Sequence, residues 1–226
     1  MLMSAPFRNP AVEWFGQWLG GELVIGQVLV CRRDKSYELR HAQDREKSAR
    51  DLRQVTPEEA RAIAQFTEGG AFRPLKSAPT LRRGWRIVAN SDAELATALD
   101  RLYPGAIADL YATLQRSAPV TDYRAFTNRQ TGMYRITTFL DDVDAGTVVR
   151  KCCASRFCLK RRFWDVSGLA PEVVTDKSVI PCLEPCAVLI EFARKVVRAT
   201  QRESLPVSNV LSKLDPAAKD EEAGRE

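Results

Sequence analysis

The sequence predicts an α+β fold: a mixed α/β N-terminal subdomain over residues 1–118, a mainly helical subdomain over 119–200, and a flexible tail over 201–226. Three observations carry this reading. Apolar strand-like runs and capped helical segments mix over the first half without any internal repeat. Composition shifts at Ser117-Ala118-Pro119, beyond which five of the six cysteines fall among residues that read mostly as helix. Beyond Thr200 the stretch QRESLPVSNVLSKLDPAAKDEEAGRE is polar, proline-interrupted and too poor in apolar residues to offset its ordering entropy.

Taken in order, Met1 to Leu19 contains Arg8, Pro10 and Glu13 and lacks a continuous apolar run, so neither an export signal nor a membrane span is expected. A cytoplasmic chain with no membrane partner is the expectation. GELVIGQVLVCRR, residues 21–33, and SYELRHA after the polar break Asp34-Lys35 read as a β-hairpin or paired strands. Thr56-Pro57-Glu58-Glu59 supplies a cap, a proline and two first-turn acids, which predicts a helix from about Pro57 to Phe66. Gly69 and Gly70 end that segment, and Trp85-Arg86-Ile87-Val88 reads as a strand. Leu95, Leu99 and Leu102 then give a helix that stops at Pro104-Gly105, with a second helix over Ala106 to Leu114. In the second half, Asp141, Asp142 and Asp144 are candidate caps for a helix ending near Cys153. Pro185 reads as the first position of a helix AVLIEFARKVVRA, with Cys182 in the preceding turn and Cys186 in its first turn.

Composition narrows the chemistry. With 226 residues, 45% hydrophobic and 28% charged, the chain is globular, and a net charge of +5 leaves its partner open. A single histidine, His41, excludes two-cysteine, two-histidine zinc fingers and paired-histidine hydrolytic zinc, and leaves one candidate base for any nucleophile pair. In a reducing compartment, clustered cysteines read first as metal or cluster ligands or as redox thiols.

Cys31 stands alone on a strand and reads as core. The other five are spaced as Cys152-x5-Cys158, or Cys153-x4-Cys158, followed by Cys182-x3-Cys186. Structural zinc sites favour two-residue knuckles, whereas wider spacings suit a [4Fe-4S] core whose irons, and therefore thiolates, are spread apart. A [4Fe-4S] cluster is the preferred cofactor, with a structural four-cysteine zinc module and unligated thiols as alternatives. Adjacent residues point in different directions, so only one of Cys152 and Cys153 is expected to be a ligand. A helix N-terminus beside Cys182 and Cys186 would stabilise the negative charge of thiolates.

The pairs Cys152-x5-Cys158 and Cys182-x3-Cys186 are similar to the cysteine motif of sirohaem-dependent sulfite and nitrite reductases. A closer resemblance is to the C-terminal accessory region, a [4Fe-4S] domain plus a stabilising domain, of multidomain CbiX-like proteins related to sirohydrochlorin chelatases. It is carried by RQTGMYR at 129–135, CLKRRFW at 158–164 and CLEPCAVLI at 182–190. The resemblance implies Cys158, Cys182 and Cys186 as ligands with the fourth from Cys152 or Cys153. The reductase motif tips that choice toward Cys152. It further implies an iron-sulfur accessory protein with a redox or electron-transfer role beside a chelatase in cobalamin or sirohaem metabolism. The chelatase domain itself is not evident, and His41 alone cannot supply the histidine pair such chelatases use, so chelatase activity is not assigned to this chain. The rival readings are a zinc module mediating protein or nucleic-acid contacts, and an enzyme whose substrate binds an iron lacking a cysteine.

Arg150, Lys151, Arg156, Lys160, Arg161 and Arg162, interleaved with Phe157, Phe163 and Trp164, read mainly as a solvated face offsetting cluster charge. An acidic protein partner or a tetrapyrrole is the second reading, and nucleic acid the least favoured. Asp141, Asp142 and Asp144 read as caps rather than magnesium ligands, and the glycine pairs at 20–21 and 69–70 lack any phosphate-loop pattern. Gly132 reads as a packing or hinge position.

Overall fold

Residues 9–67, 69–72, 77–115, 119–154, 158–172, 178–203 and 206–213 are described by the structure, a computed structural model of the chain. The segment expected to form a β-hairpin or paired strands forms three paired strands joined by two turns. Ile25 and Val28 face each other across Gly26-Gln27, so β1 (Glu22–Ile25) and β2 (Val28–Arg33) close a two-residue hairpin. Gly26 holds φ at +57°, and a Cβ there would meet the Tyr103 ring at 3.0 Å, so both the turn and the packing require glycine. Asp34-Lys35 makes the second turn, and β3 (Ser36–His41) pairs antiparallel with β2.

A fourth strand, β4 (Arg53–Val55), is too short and polar to be legible in the sequence. It pairs parallel with β5 (Trp85–Ala89), which is antiparallel to β3, and the sheet order is β1-β2-β3-β5-β4. A parallel neighbour needs a crossover, and the capped segment after Thr56 supplies it. Thr56 and Glu59 form a reciprocal capping box at 3.2 and 3.3 Å. Glu58–Ala60 then winds as a tight 3-10 turn, which leaves α2 (Arg61–Gln65) shorter than expected.

Ahead of the sheet lies α1 (Pro10–Trp18), where Asn9 accepts the Ala11 N–H at 3.0 Å and Pro10 opens the helix. No helix was expected there, although Asn9-Pro10 is a legible start signal. Trp14 stacks on Trp18 at 5.1 Å and meets Tyr111 edge-on at 5.4 Å. α3 (Asp92–Leu102), capped by Ser91, buries Leu95, Ala98, Leu99 and Leu102, and α4 (Ala106–Leu114) follows as its sequence indicates.

Charged groups fasten the loop after β3. The buried Arg40 guanidinium donates to the carbonyls of Asp44, Arg45 and Lys47 at 3.3, 3.2 and 2.8 Å, and it pairs with Glu38. The Asp44 carboxylate, itself buried, receives the Gly84 N–H at 2.6 Å and Lys47 Nζ at 2.8 Å. His41 is buried, and its Nδ1 accepts the Gln43 N–H at 3.1 Å.

The chain forms two compact units that are not consecutive in sequence. The first comprises Met1–Pro119, Ser155–Arg161 and Val174–Pro181, and the second Val120–Ala154, Arg162–Val173 and Cys182–Glu226. Composition divides the chain once, near residue 118. The structure returns two short segments to the first unit, where Leu159 N–H bonds Ala78 O at 2.6 Å, Gly26 N–H bonds Ser178 O at 2.7 Å, and Ile180 joins the core.

The second unit contains α5 (Tyr123–Asn128), a 3-10 helix over Gly132–Phe139, α6 (Asp142–Cys152), α7 (Ala187–Glu203) and α8 (Val207–Lys213). Gly132 opens the 3-10 helix with φ at +58°. Asp141 caps α6 through the Asp144 N–H at 2.7 Å, and Asp142 pairs with Arg124 at 2.7 Å. These acids serve as caps and an ion pair, as their positions suggest. Leu189, Ala193, Val196 and Val197 form the buried stripe of α7, and α8 adds Val207, Val210 and Leu211 to the same core. The tail reading is therefore corrected for 207–213: three apolar residues at helical spacing suffice once a core is present to receive them. Residues 214–226 lie outside the described residues. Among the described residues no helix is long and apolar enough to cross a membrane.

Leu211→Ala is expected to destabilise the second unit by about 2–5 kcal/mol, measured by urea unfolding; a tail residue would cost nearly nothing. Burial acts to raise the Asp44 carboxyl, but Lys47 and the Gly84 N–H outweigh it and hold it below its ordinary value. With the folded value below the unfolded one, the Asp44 contribution is complete above about pH 3.9 and is lost as pH falls through the folded value. Asp44→Asn should cost about 1–3 kcal/mol at pH 7, and the gap to the parent should narrow below about pH 4 in acid-unfolding curves.

Candidate metal centre

The cysteines of the second unit sit at element ends. Cys152 is the last residue of α6 and is buried, and Cys153 caps the helix with its N–H on Val149 O at 2.8 Å. Arg150 and Lys151 occupy the last turn of α6, where cations offset the negative end of the helix. Two residue pairs, β6 (Arg161–Arg162) and β7 (Pro181–Cys182), make a small sheet, and Phe163 N–H donates to Cys182 O at 2.8 Å. The Cys182 thiol donates to Glu184 O at 3.3 Å.

Cys186 directly precedes α7. Its carbonyl accepts the Ile190 N–H at 3.1 Å and its Sγ accepts the Leu189 N–H at 3.5 Å. Cys186 thus holds the capping position, and the expectation that Pro185 opens the helix is corrected. Proline instead stiffens the Cys182-to-Cys186 loop one residue outside. The sulfur stands where a serine or aspartate oxygen commonly does, on the unsatisfied N–H groups of a helix of 17 residues.

Cys152, Cys153, Cys182 and Cys186 share one apolar core. The Cys153 thiol is pushed far above its ordinary range, first by its hydrogen bond with Cys152, then by burial, and further by negative charge on Cys152, Cys182 and Cys186. All three lie near enough to oppose the ionisation of Cys153, and a multiply charged metal core would relieve that opposition. The donor set fits an iron-sulfur cluster in kind, being entirely thiol. Among the described residues no three or more His, Cys, Asp or Glu side chains are arranged to hold a single metal ion. Cys158 packs against the core of the first unit. Cys31 stays apart, buried, with its Sγ donating to Glu22 at 3.4 Å and its thiol raised by burial, as its isolation in sequence indicates.

The basic aromatic face breaks up. Lys160 Nζ pairs with Asp109 at 2.6 Å. Arg162 is buried and donates to Trp164 O and, at 2.5 Å, to Ala170 O, with its guanidinium 5.4 Å from the Trp164 ring centre. Trp164 is buried too, while Arg150 is exposed, Lys151 and Arg161 are half-buried, and Arg156 and Phe157 lie outside the described residues. Sequence reasoning counted Trp164 toward a surface and passed over Tyr123; both belong to the core that carries the cysteines. No local pattern marks either, because their burial arises from segments distant in sequence.

Residues 13–114 match the family model of the DR2241 stabilising domain, and residues 115–195 that of a 4Fe-4S iron-sulfur cluster binding domain. Among solved structures the chain is similar to DR2241 from Deinococcus radiodurans, described as a multi-domain protein with structural similarity to chelatases but also with two additional novel domains. The two are 31% identical with a TM-score of 0.66, and the match covers 84% of this chain and 40% of that one. This chain therefore spans less than half the length of that relative. No curated protein sequence matches.

Removing the buried Arg162 guanidinium strands two carbonyl acceptors. Arg162→Ala is expected to destabilise the second unit by about 2–3 kcal/mol in urea unfolding, against less than about 0.5 kcal/mol for a solvated arginine.

Proposed function

We propose that this chain, a DR2241 stabilising domain followed by a 4Fe-4S cluster binding domain, binds one [4Fe-4S] cluster as an accessory to a chelatase-type partner acting on tetrapyrroles. The observation that carries this reading is the grouping of Cys152, Cys153, Cys182 and Cys186 on one core within the matched segment. Cys182 and Cys186 are two of the ligands and one of Cys152 and Cys153 is a third. Cys158 is the fourth, as the resemblance implies.

A bound [4Fe-4S] cluster supplies one-electron transfer at a potential tuned by burial and by hydrogen bonds to its sulfurs. The protein's own groups prepare for this. Leu189 N–H already donates to the Cys186 sulfur at the start of α7, which orients that sulfur. Val148, Val149, Leu189 and Ala193 belong to the same buried core as Cys152, and Cys153, Cys182 and Cys186 pack against it half-buried. The redox or electron-transfer role, and its setting on the cobalamin or sirohaem branch, follow from the resemblance to a chelatase-like protein. Because Lys160 and Arg162 are engaged within the chain, association with that partner relies on other surfaces than a continuous basic stripe.

Protein purified anaerobically is expected to be brown and to contain about four irons and four sulfides per chain. Stoichiometric zinc in a colourless folded protein would overturn the reading in favour of a zinc module. Serine substitution of Cys182 or Cys186 should abolish the colour, and of Cys152 and Cys153 only one should; retention of the cluster in both Cys182→Ser and Cys186→Ser would refute the assignment.

A further inference from the structure

Two hydrogen-bond donors in the second core have no protein acceptor among the described residues: the Tyr123 hydroxyl and the Trp164 indole N–H. Their side chains belong to the most deeply enclosed in the molecule, with residue exposures of 1% and 0%. An unmet buried donor loses its hydration without compensation, and native proteins rarely leave such groups unpaired. The rings are stacked, with centroids 6.2 Å apart and planes at 25°, so the two donors form one feature. Their backbone is pinned on both sides: Tyr123 N–H bonds Asp165 O at 2.9 Å, and Phe163, next to Trp164, bonds Cys182 O at 2.8 Å.

The chemistry of the two groups narrows what they meet. An indole N–H only donates, so it cannot ligate a metal. Burial pushes the Tyr123 hydroxyl up to about 12, which keeps it protonated and a donor at neutral pH. Both call for an electron-rich acceptor within the core on which Cys152, Cys153, Cys182 and Cys186 pack. The sulfurs of a thiolate-held cluster are acceptors of that kind.

We infer that Tyr123 and Trp164 donate hydrogen bonds to sulfurs of the centre held on this core and thereby set its reduction potential. The inference rests on the cluster reading above and deepens it by assigning two positioning residues that are not ligands. Donors beside the sulfurs stabilise the more negative, reduced state, so their loss moves the potential downward.

The test uses the full chain, loaded anaerobically with iron and sulfide, as wild type, Tyr123→Phe, Trp164→Phe and the double variant. Optical redox titration should give a more negative midpoint potential in Tyr123→Phe, with a further shift in the double variant. Urea unfolding of the cluster-free protein should show Tyr123→Phe at least as stable as wild type, since the substitution removes an unmet hydroxyl. Tyr123→Phe keeps the ring and carries the test by itself if Trp164→Phe does not fold. An unchanged potential, with loaded and cluster-free forms destabilised equally, would overturn the inference and assign the donors to internal water. Failure of the wild type to take up iron and sulfide would overturn the cluster reading, and this inference with it.

Discussion

The packing of Cys152, Cys153, Cys182 and Cys186 on one apolar core is the constraint around which the second unit is organised. Cys152 and Cys153 arrive at the end of one helix, and Cys182 and Cys186 arrive on a strand and at the start of another. Bringing four ionisable sulfurs together in a medium of low polarity is unfavourable in whatever state they carry charge. The surroundings lower that cost. An N–H at the start of α7 meets one sulfur, a carbonyl accepts a thiol proton at Cys182, and Cys152 and Cys153 share a hydrogen bond. The apolar packing of the unit and the placement of its four thiols are thus parts of one arrangement.

The first unit solves a different problem. Among the described residues its five-stranded sheet and four α-helices bury a core of ordinary aliphatic and aromatic residues, and its polar interior is spent on structure. Arg40 and Asp44 hold a loop, and the only histidine of the sequence accepts a local N–H. The return of residues near 158 and 180 to this unit ties its core to segments that flank the cysteine pairs in sequence.

The surface reading of the basic segment shows how local composition misleads. Six cations and three aromatics within 15 positions resemble an interaction face when viewed in one dimension. In three dimensions Arg162 satisfies two carbonyls, Lys160 answers a half-buried aspartate, and Trp164 enters the core. A guanidinium has enough donors and a long enough stem to be more useful inside than out, and the sequence around it does not change when it is.

By itself the sequence determined what depends on neighbours within a few residues. The Thr56–Glu59 capping box, Ser91 and Asp141 at helix starts, the halt at Pro104-Gly105 and the isolation of Cys31 are all set by local hydrogen bonding and side-chain size. Only the tertiary structure decided which edge β4 joins, that α8 packs where composition read a tail, and that Tyr123 and Trp164 lie with their donors unmet on the cysteine core. Each of those depends on apolar surface offered by residues far along the chain, and no local pattern records whether such surface is there to be covered.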